Sequence, residues 1–284
     1  MEKIWKIIDL INWGKDYFES KSIESPRLNM EILLCHALNM ERVSLYTKYD
    51  LPLNPNELNI IRALVIRRAK REPLQYIVGN QAFMNLDIKV TSDVLIPRPE
   101  TEELVELIVK NHKDKGKIKI LDIGTGSGCI ALSLAKLLPE SNVVGIDVSD
   151  KALAIAEYNK KFNTIENVSF EKIDFLKNCN FLTNYDVLVS NPPYISLREY
   201  EGSPEKELFF EPRKALTDES DGLSFYKKFS EHFADMLNNN GSFYLEIAYN
   251  QSKQISDIFE KNYDIKFHKD FSGIIRMVEG NIKV

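Results

Sequence analysis

The chain has 284 residues, of which 44% are hydrophobic and 28% charged, and its net charge is −5; these values suit a globular chain of one large and one small unit. Residues 1–80 carry 12 Lys and Arg against 10 Asp and Glu, and the remainder 25 against 32, so neither part has the basic surplus needed to hold duplex DNA by its phosphates. The apolar runs Ile32–Cys35 and Cys129–Leu138 are short or interrupted by Ser133 and Lys136, well below the ~18 residues of a membrane span, while Cys35, Cys129 and Cys179 form no CxxC that would suggest a disulfide framework or a zinc site.

In chain order, the first residues, Met-Glu-Lys-Ile-Trp with Asp9 close behind, lack the pattern of a secretory signal, and a cytoplasmic location is expected. Ile4, Ile7, Ile8 and Ile11 follow the stripe of an amphipathic helix. Ser25-Pro26 predicts a second helix start, with Leu33, Leu34, Ala37 and Leu38 as its apolar face. Asn54-Pro55 with Glu57 opens a third, striped by Leu58, Ile61, Leu64 and Val65. Arg62, Arg67, Arg68, Lys70 and Arg71 read as the solvated face of that helix, the alternative being a docking patch for an acidic or RNA-bound partner. A helical recognition domain over 1–72 is therefore expected. A linker with a strand or hairpin over Phe83–Val90 follows at 73–100, and Leu95-Ile-Pro-Arg-Pro-Glu leads into a helix from Thr101.

From residue 118 strands and helices alternate, which predicts an α/β domain over 101–284 with a mostly parallel sheet covered on both faces. Seven strands are expected, at Ile118–Asp122, Asn142–Asp147, Val168–Ile173, Tyr185–Ser190, Gly241–Ile247, Tyr263–His268 and Ile274–Glu279. Helices are expected at Cys129–Leu138, Asp150–Phe162, Leu223–Leu237 and Gln251–Glu260.

The first of these strands runs into Asp122-Ile-Gly-Thr-Gly-Ser-Gly-Cys, where glycine relieves a sharp turn and lets a ligand approach the backbone. A dinucleotide fingerprint, GxGxxG, would need its third glycine at Cys129. The GxGxG spacing of Gly124, Gly126 and Gly128 instead suits the amino-acid portion of S-adenosylmethionine. Asp147 ends the next strand, where a carboxylate can accept from both ribose hydroxyls. After the third strand, Asp174 can meet the adenine amino group and Phe175 can pack on its ring.

The fourth strand ends in Asn191-Pro-Pro-Tyr194, the most specific feature of the chain. The prolines stiffen the backbone, and Pro192 offers a carbonyl without an N–H. The Asn191 side-chain oxygen and that carbonyl can accept both hydrogens of a planar NH₂ group, with Tyr194 as an aromatic face. Methyl transfer from a sulfonium then depends on positioning and on stabilising charge that develops at nitrogen, and requires no His, Cys or metal. His36, His112, His232 and His268 form no ligand spacing.

Asp122–Gly128, Asp147 and Asn191–Tyr194 resemble the class I methyltransferases of planar nitrogens. With Glu72-Pro-Leu-Gln-Tyr-Ile-Val-Gly79, Leu95–Thr101, Phe210-Glu-Pro-Arg-Lys-Ala-Leu216 and Asp221–Tyr226, nearly the whole chain is similar to the HemK/PrmC family of release factor glutamine N5-methyltransferases. That resemblance implies methylation of the glutamine in the Gly-Gly-Gln tip of class-1 peptide-chain release factors, with S-adenosylmethionine as cofactor. It implies that Gly124, Thr125, Gly126, Ser127, Gly128, Asp147, Phe175 and Asn191 contact the cofactor, beside the Asp174 expected from its place after the third strand. Asn191, Pro192, Pro193 and Tyr194 would hold the substrate, with Asn191, Pro192 and Tyr194 as the catalytic set. Arg98 and Glu100 would border the pocket or, equally, serve helix entry and a surface salt bridge, and the helical domain would meet the release factor away from its tip. No nucleic acid, membrane or metal partner is implied. The rival readings are a ribosomal-protein glutamine methyltransferase, a DNA adenine-N6 methyltransferase acting on a flipped base, and a binding module that has lost activity.

Overall fold

A computed structural model describes residues 4–283, which form two compact units. The first takes the described residues through Gly79, past the expected boundary at residue 72, and adds Lys206–Phe210. The second comprises the rest.

The first unit holds α1 (Ile7–Ser20), α2 (Pro26–Leu38), α3 (Arg42–Thr47), α4 (Pro55–Ala69) and α5 (Leu74–Val78), with a 3₁₀ turn over Lys206–Phe210. On α1 the buried stripe is Ile7, Leu10, Ile11, Gly14 and Phe18. Ile4 lies before the helix and is exposed, and Ile8 is only half-buried, so the expected face is rotated. The helix starts at Pro26 and Pro55 appear as expected. Asn54 Oδ1 accepts from the Asn56 and Glu57 amides at 3.0 Å each, and Glu57 returns an oxygen to the Asn54 amide at 2.8 Å. This reciprocal cap satisfies donors that the first helical turn leaves free. At Ser25 the side chain makes no such cap, and Asn29 Nδ2 donates back to the carbonyls of Glu24 and Ser25.

The basic cluster departs from its expected reading as a solvated face. Arg62 and Lys70 are exposed, but Arg68 is buried and donates in three directions. Its Nε reaches Asn29 Oδ1 at 2.7 Å, Nη1 the Glu72 carbonyl at 2.9 Å and Nη2 Glu207 Oε1 at 2.7 Å. Arg67 pairs with Glu72, and Arg71 donates to the carbonyls of Lys21 and Ser22. A buried guanidinium is tolerated because its planar fork is satisfied on several sides.

The second unit opens with a hairpin, β1 (Asn80–Phe83) and β2 (Leu86–Lys89), turned on Met84 and Asn85 at φ 48° and 58°. Both central residues having positive φ is the turn whose twist matches a two-residue hairpin. After α6 (Pro99–His112) come β3 (Lys119–Ile123), α7 (Cys129–Leu137), β4 (Asn142–Asp147), α8 (Asp150–Phe162), β5 (Val168–Lys172) and β6 (Tyr185–Ser190). Short helices α9 (Leu197–Glu201) and α10 (Arg213–Leu216) precede α11 (Ser224–Met236), β7 (Leu237–Glu246), α12 (Ser252–Phe259), β8 (Tyr263–Lys269) and β9 (Ile275–Ile282).

The expected seven-stranded sheet has the order β5-β4-β3-β6-β7-β9-β8. It is parallel from β5 through β7, and β9 runs antiparallel to both its neighbours. Ile120–Ile123, Val143–Ile146 and Val187–Val189 are buried on both faces, as central parallel strands require. Beneath one face, Phe229, Phe233, Phe243, Phe259 and Tyr263 pack ring on ring, with centroids as close as 4.7 Å. The strand order reverses between β3 and β6, so a crevice opens outside the carboxyl ends of these parallel strands.

Candidate functional site

A cavity of about 490 Å³ opens beyond those carboxyl ends, within the second unit. Its floor is the turn between β3 and α7. Asp122 is fully buried at the strand end and accepts from Thr125 Oγ1 at 2.6 Å. The amides of Gly124 and Thr125 both donate to the Ile146 carbonyl at 2.9 Å, clamping the turn to β4. Gly126 N–H donates to Asp147 Oδ2 at 3.0 Å, and Ser149 N–H to Oδ1 at 2.9 Å. Asp147 is thus held at the rim by two backbone donors, while Ser149 caps α8 through the Ala152 amide. Burial raises the Asp147 carboxyl above its ordinary range despite those two donors. Burial drives Asp122 up to about 7, against the Thr125 hydrogen bond, and its Oδ1 has no partner.

The turn fits a ligand that lies along its backbone. Gly124 and Gly126 have φ of 77° and 54°, and a Cβ on either would enter open space, with nothing nearer than the Gly124 carbonyl at 4.0 Å. A side chain at either glycine would fill the cavity rather than meet protein. Gly128 differs: a Cβ there would press on Phe170 at 3.0 Å and Ala156 at 3.1 Å. Of the five loop residues, Gly124 and Gly126 line the cavity and Thr125, Ser127 and Gly128 do not. The other three brace the turn from behind.

Asp174 and Phe175 both line the cavity. Asp174 pairs with Lys177 at 2.9 Å, and Phe175 is 4% exposed, its ring 5.1 Å from that of Phe229. Phe175 therefore belongs to the aromatic core and shows the cavity little of its surface.

On the opposite wall, β6 delivers Asn191, Pro192 and Pro193 to the same cavity as Gly124, Gly126 and Asp147. Ser190 Oγ donates to the Ile123 carbonyl at 2.7 Å and ties the two strand ends together. Asn191 Nδ2 donates to Thr101 Oγ1 at 3.1 Å, and Thr101 Oγ1 donates to Glu246 Oε2 at 2.6 Å. Tyr194 is not among the lining residues. Its hydroxyl donates to Glu246 Oε1 at 3.3 Å, and burial, then the neighbouring Glu246, raises its phenol. Glu246 is 2% exposed, and burial lifts its carboxyl to about 7, opposed by the bonds from Thr101 and Tyr194.

Several neighbours escaped the sequence reading. Ser92–Leu95 and the segment from Pro212 to Glu219 contribute to the lining. Asp218 accepts from the amides of Ser220, Gly222 and Ser224, and these bonds, against burial, hold its carboxyl below the ordinary range. Arg98 is not a lining residue. It pairs with the buried Glu211, which also accepts from the Ile96 amide at 3.0 Å, so it anchors the Pro-stiffened segment instead. Glu246 left one signal in the sequence: an acid inside the apolar run Phe243-Tyr-Leu-Glu-Ile-Ala248 is a candidate for burial, and a buried carboxyl needs partners.

Comparison with known proteins gives a first match that ends at the same residue as the long segment of the first unit. Residues 9–79 match the family described as PrmC N-terminal domain, and residues 114–281 match a methyltransferase domain. The release factor glutamine methyltransferase of Geobacter sulfurreducens is 41% identical over 282 residues, covering 99% of this chain and 98% of that protein. That of Flavobacterium psychrophilum is 40% identical over 273 residues, covering 94% of each. A crystal structure of a methyltransferase from Pyrococcus furiosus superposes with a TM-score of 0.53 at 22% identity, over 77% of this chain and 98% of that one, which is a likeness of fold.

Proposed function

The chain belongs to the release factor glutamine methyltransferases, S-adenosylmethionine-dependent enzymes, and from that membership we propose that it methylates the side-chain amide nitrogen of the Gly-Gly-Gln glutamine in a class-1 peptide-chain release factor. One observation carries the reading: the Asn191-Pro-Pro wall and the Gly124, Gly126 and Asp147 floor belong to a single cavity.

When bound, S-adenosylmethionine supplies a methyl group on a sulfonium, already a good leaving group. Gly124 and Gly126 are assigned to its amino-acid portion, Asp147 to its ribose, and Asp174 with the edge of Phe175 to its adenine. Asn191 Oδ1 and the Pro192 carbonyl accept the two hydrogens of the glutamine amide. That pairing turns the nitrogen lone pair toward the methyl donor and favours the positive charge that grows there. Pro193 keeps the wall rigid, and Tyr194 packs behind it. Positioning and the exclusion of water are the principal work left to the protein, and in well-oriented systems they are worth several kcal/mol or more. The helical unit, matching the PrmC N-terminal domain, is assigned to the body of the release factor.

The test incubates the purified protein with S-adenosylmethionine and its cognate release factor, with a Gly-Gly-Ala release factor and duplex DNA in parallel. Peptide mass spectrometry should find one methyl on the glutamine and none in the control. Methylated adenine in the DNA, with an unmodified factor, would overturn the substrate while keeping the chemistry. A ribosomal-protein glutamine methylated instead of the factor would overturn it in the same way.

A further inference from the structure

We propose that Thr101 and Glu246 act as a polarity relay that dictates which end of the Asn191 amide faces the substrate. The inference rests on the reading of Asn191 as the acceptor for the glutamine amide. An asparagine side chain has nearly the same shape with its oxygen and nitrogen exchanged, so shape alone does not decide which end enters the cavity. Hydrogen bonding decides it.

The Thr101 hydroxyl has one proton to give. Its contact with Glu246 Oε2 is short, 2.6 Å, and a carboxylate there makes it the stronger, charge-assisted bond. With its proton committed, Thr101 Oγ1 can only accept from Asn191. Nδ2 meets that demand at 3.1 Å. Exchanging the amide ends would set Oδ1 against a hydroxyl oxygen with no proton between them. Oδ1 is thereby turned away from Thr101 and left to accept from a substrate N–H. The Tyr194 hydroxyl holds the second carboxylate oxygen and leaves Glu246 no other role than acceptor.

The relay reverses when Glu246 takes up a proton. A neutral carboxyl can donate to Thr101, whose hydroxyl then turns to Asn191 and selects Oδ1, sending the NH₂ toward the cavity. The groups facing Glu246 are Thr101 and Glu100 from α6, Tyr194, Cys129, Arg276 from β9, and Tyr226, whose hydroxyl donates to the Glu246 backbone carbonyl. Burial is the largest influence among them and places the change near neutral pH. Turnover therefore falls as the solution is acidified through about pH 7, because the carboxylate form is the one that orients Asn191.

Thr101 and Glu246 are positioning residues, and three variants of the full chain test them with S-adenosylmethionine and the release factor. Thr101→Val keeps the shape and removes the hydroxyl. We expect kcat to drop roughly tenfold or more while cofactor affinity, measured by calorimetry, stays within about twofold of wild type. Thr101→Ser, which restores the hydroxyl, should recover most of that loss. Glu246→Gln should flatten the acid limb of the kcat profile at saturating cofactor. Turnover of Thr101→Val equal to wild type, or equal losses in Val and Ser, would overturn the relay. An unchanged acid limb in Glu246→Gln would do the same, and it decides the matter if Thr101→Val fails to fold. A wild-type protein that leaves the glutamine unmodified fails the substrate assignment instead, since every comparison here is made against wild-type turnover.

Discussion

Glu246 and Asp122 oppose the fold that encloses them. Burial brings each to about 7, above the ordinary carboxylate range. A carboxyl raised on folding steadies the native state below its unfolded value and withdraws that support as pH climbs through its folded value, by on the order of 3 kcal/mol here. Glu246→Gln should therefore gain on wild type as pH is raised from about 5 to about 8, read as a growing difference in urea midpoints; a difference that shrinks would contradict the shift. Asp147 answers a different question at the same scale. Its oxygens already hold the amides of Gly126 and Ser149, so Asp147→Ala loses the rim and, on the proposed assignment, the acceptor for the ribose. S-adenosylmethionine should bind roughly 10- to 100-fold more weakly, by calorimetry. The half-exposed Asp174, paired with Lys177, should give a smaller loss on the same substitution.

Among the elements, those with a strong period were legible from sequence. The strand that became β4 and the helix that became α8 fall on their expected residues, because uninterrupted apolar runs and a Ser149 cap leave little choice. The short helices α3, α5, α9 and α10 were not legible, since four to six residues are too few to display a period of 3.6. β7 begins at Leu237 rather than Gly241. Asn238, which reads as loop, donates to Asp186 at 2.7 Å beside a register shift in β6, so a side-chain partner carries the strand through polar sequence. Among the site residues, Gly124, Asp147 and Asn191 were visible as motifs, whereas Thr101 and Glu246 find each other across 145 residues and Asp218 is held by nearby backbone amides that form no recognisable motif. At α4, the reciprocal cap gives a clean element-scale test. Both tryptophans, Trp5 and Trp13, lie in the helical unit, so their fluorescence follows that unit. Asn54→Ala should lower its denaturation free energy by about 1 kcal/mol.

For the whole molecule, the informative residue is Arg68. Its guanidinium joins Asn29 on α2, the carbonyl of Glu72 and the carboxylate of Glu207, a partner 139 residues away. Arg68→Lys keeps the charge but cannot reach three acceptors from one ammonium, and should destabilise the helical unit by about 2 kcal/mol or more in tryptophan-detected unfolding. Glu207→Ala should cost less, because that carboxylate is 40% exposed on its side chain. Neither change should alter S-adenosylmethionine affinity, since no residue of this cluster lines the cavity. The segment Lys206–Phe210 also has a meaning in time. Synthesis proceeds from the N-terminus, and domains commonly fold in the order they emerge, yet this unit takes its last piece from behind β6. A ribosome must therefore translate the glycine turn, Asp147 and the Asn-Pro-Pro-Tyr stretch before the helices it made earlier can find their final buttress, so the helical unit is completed only midway through the second.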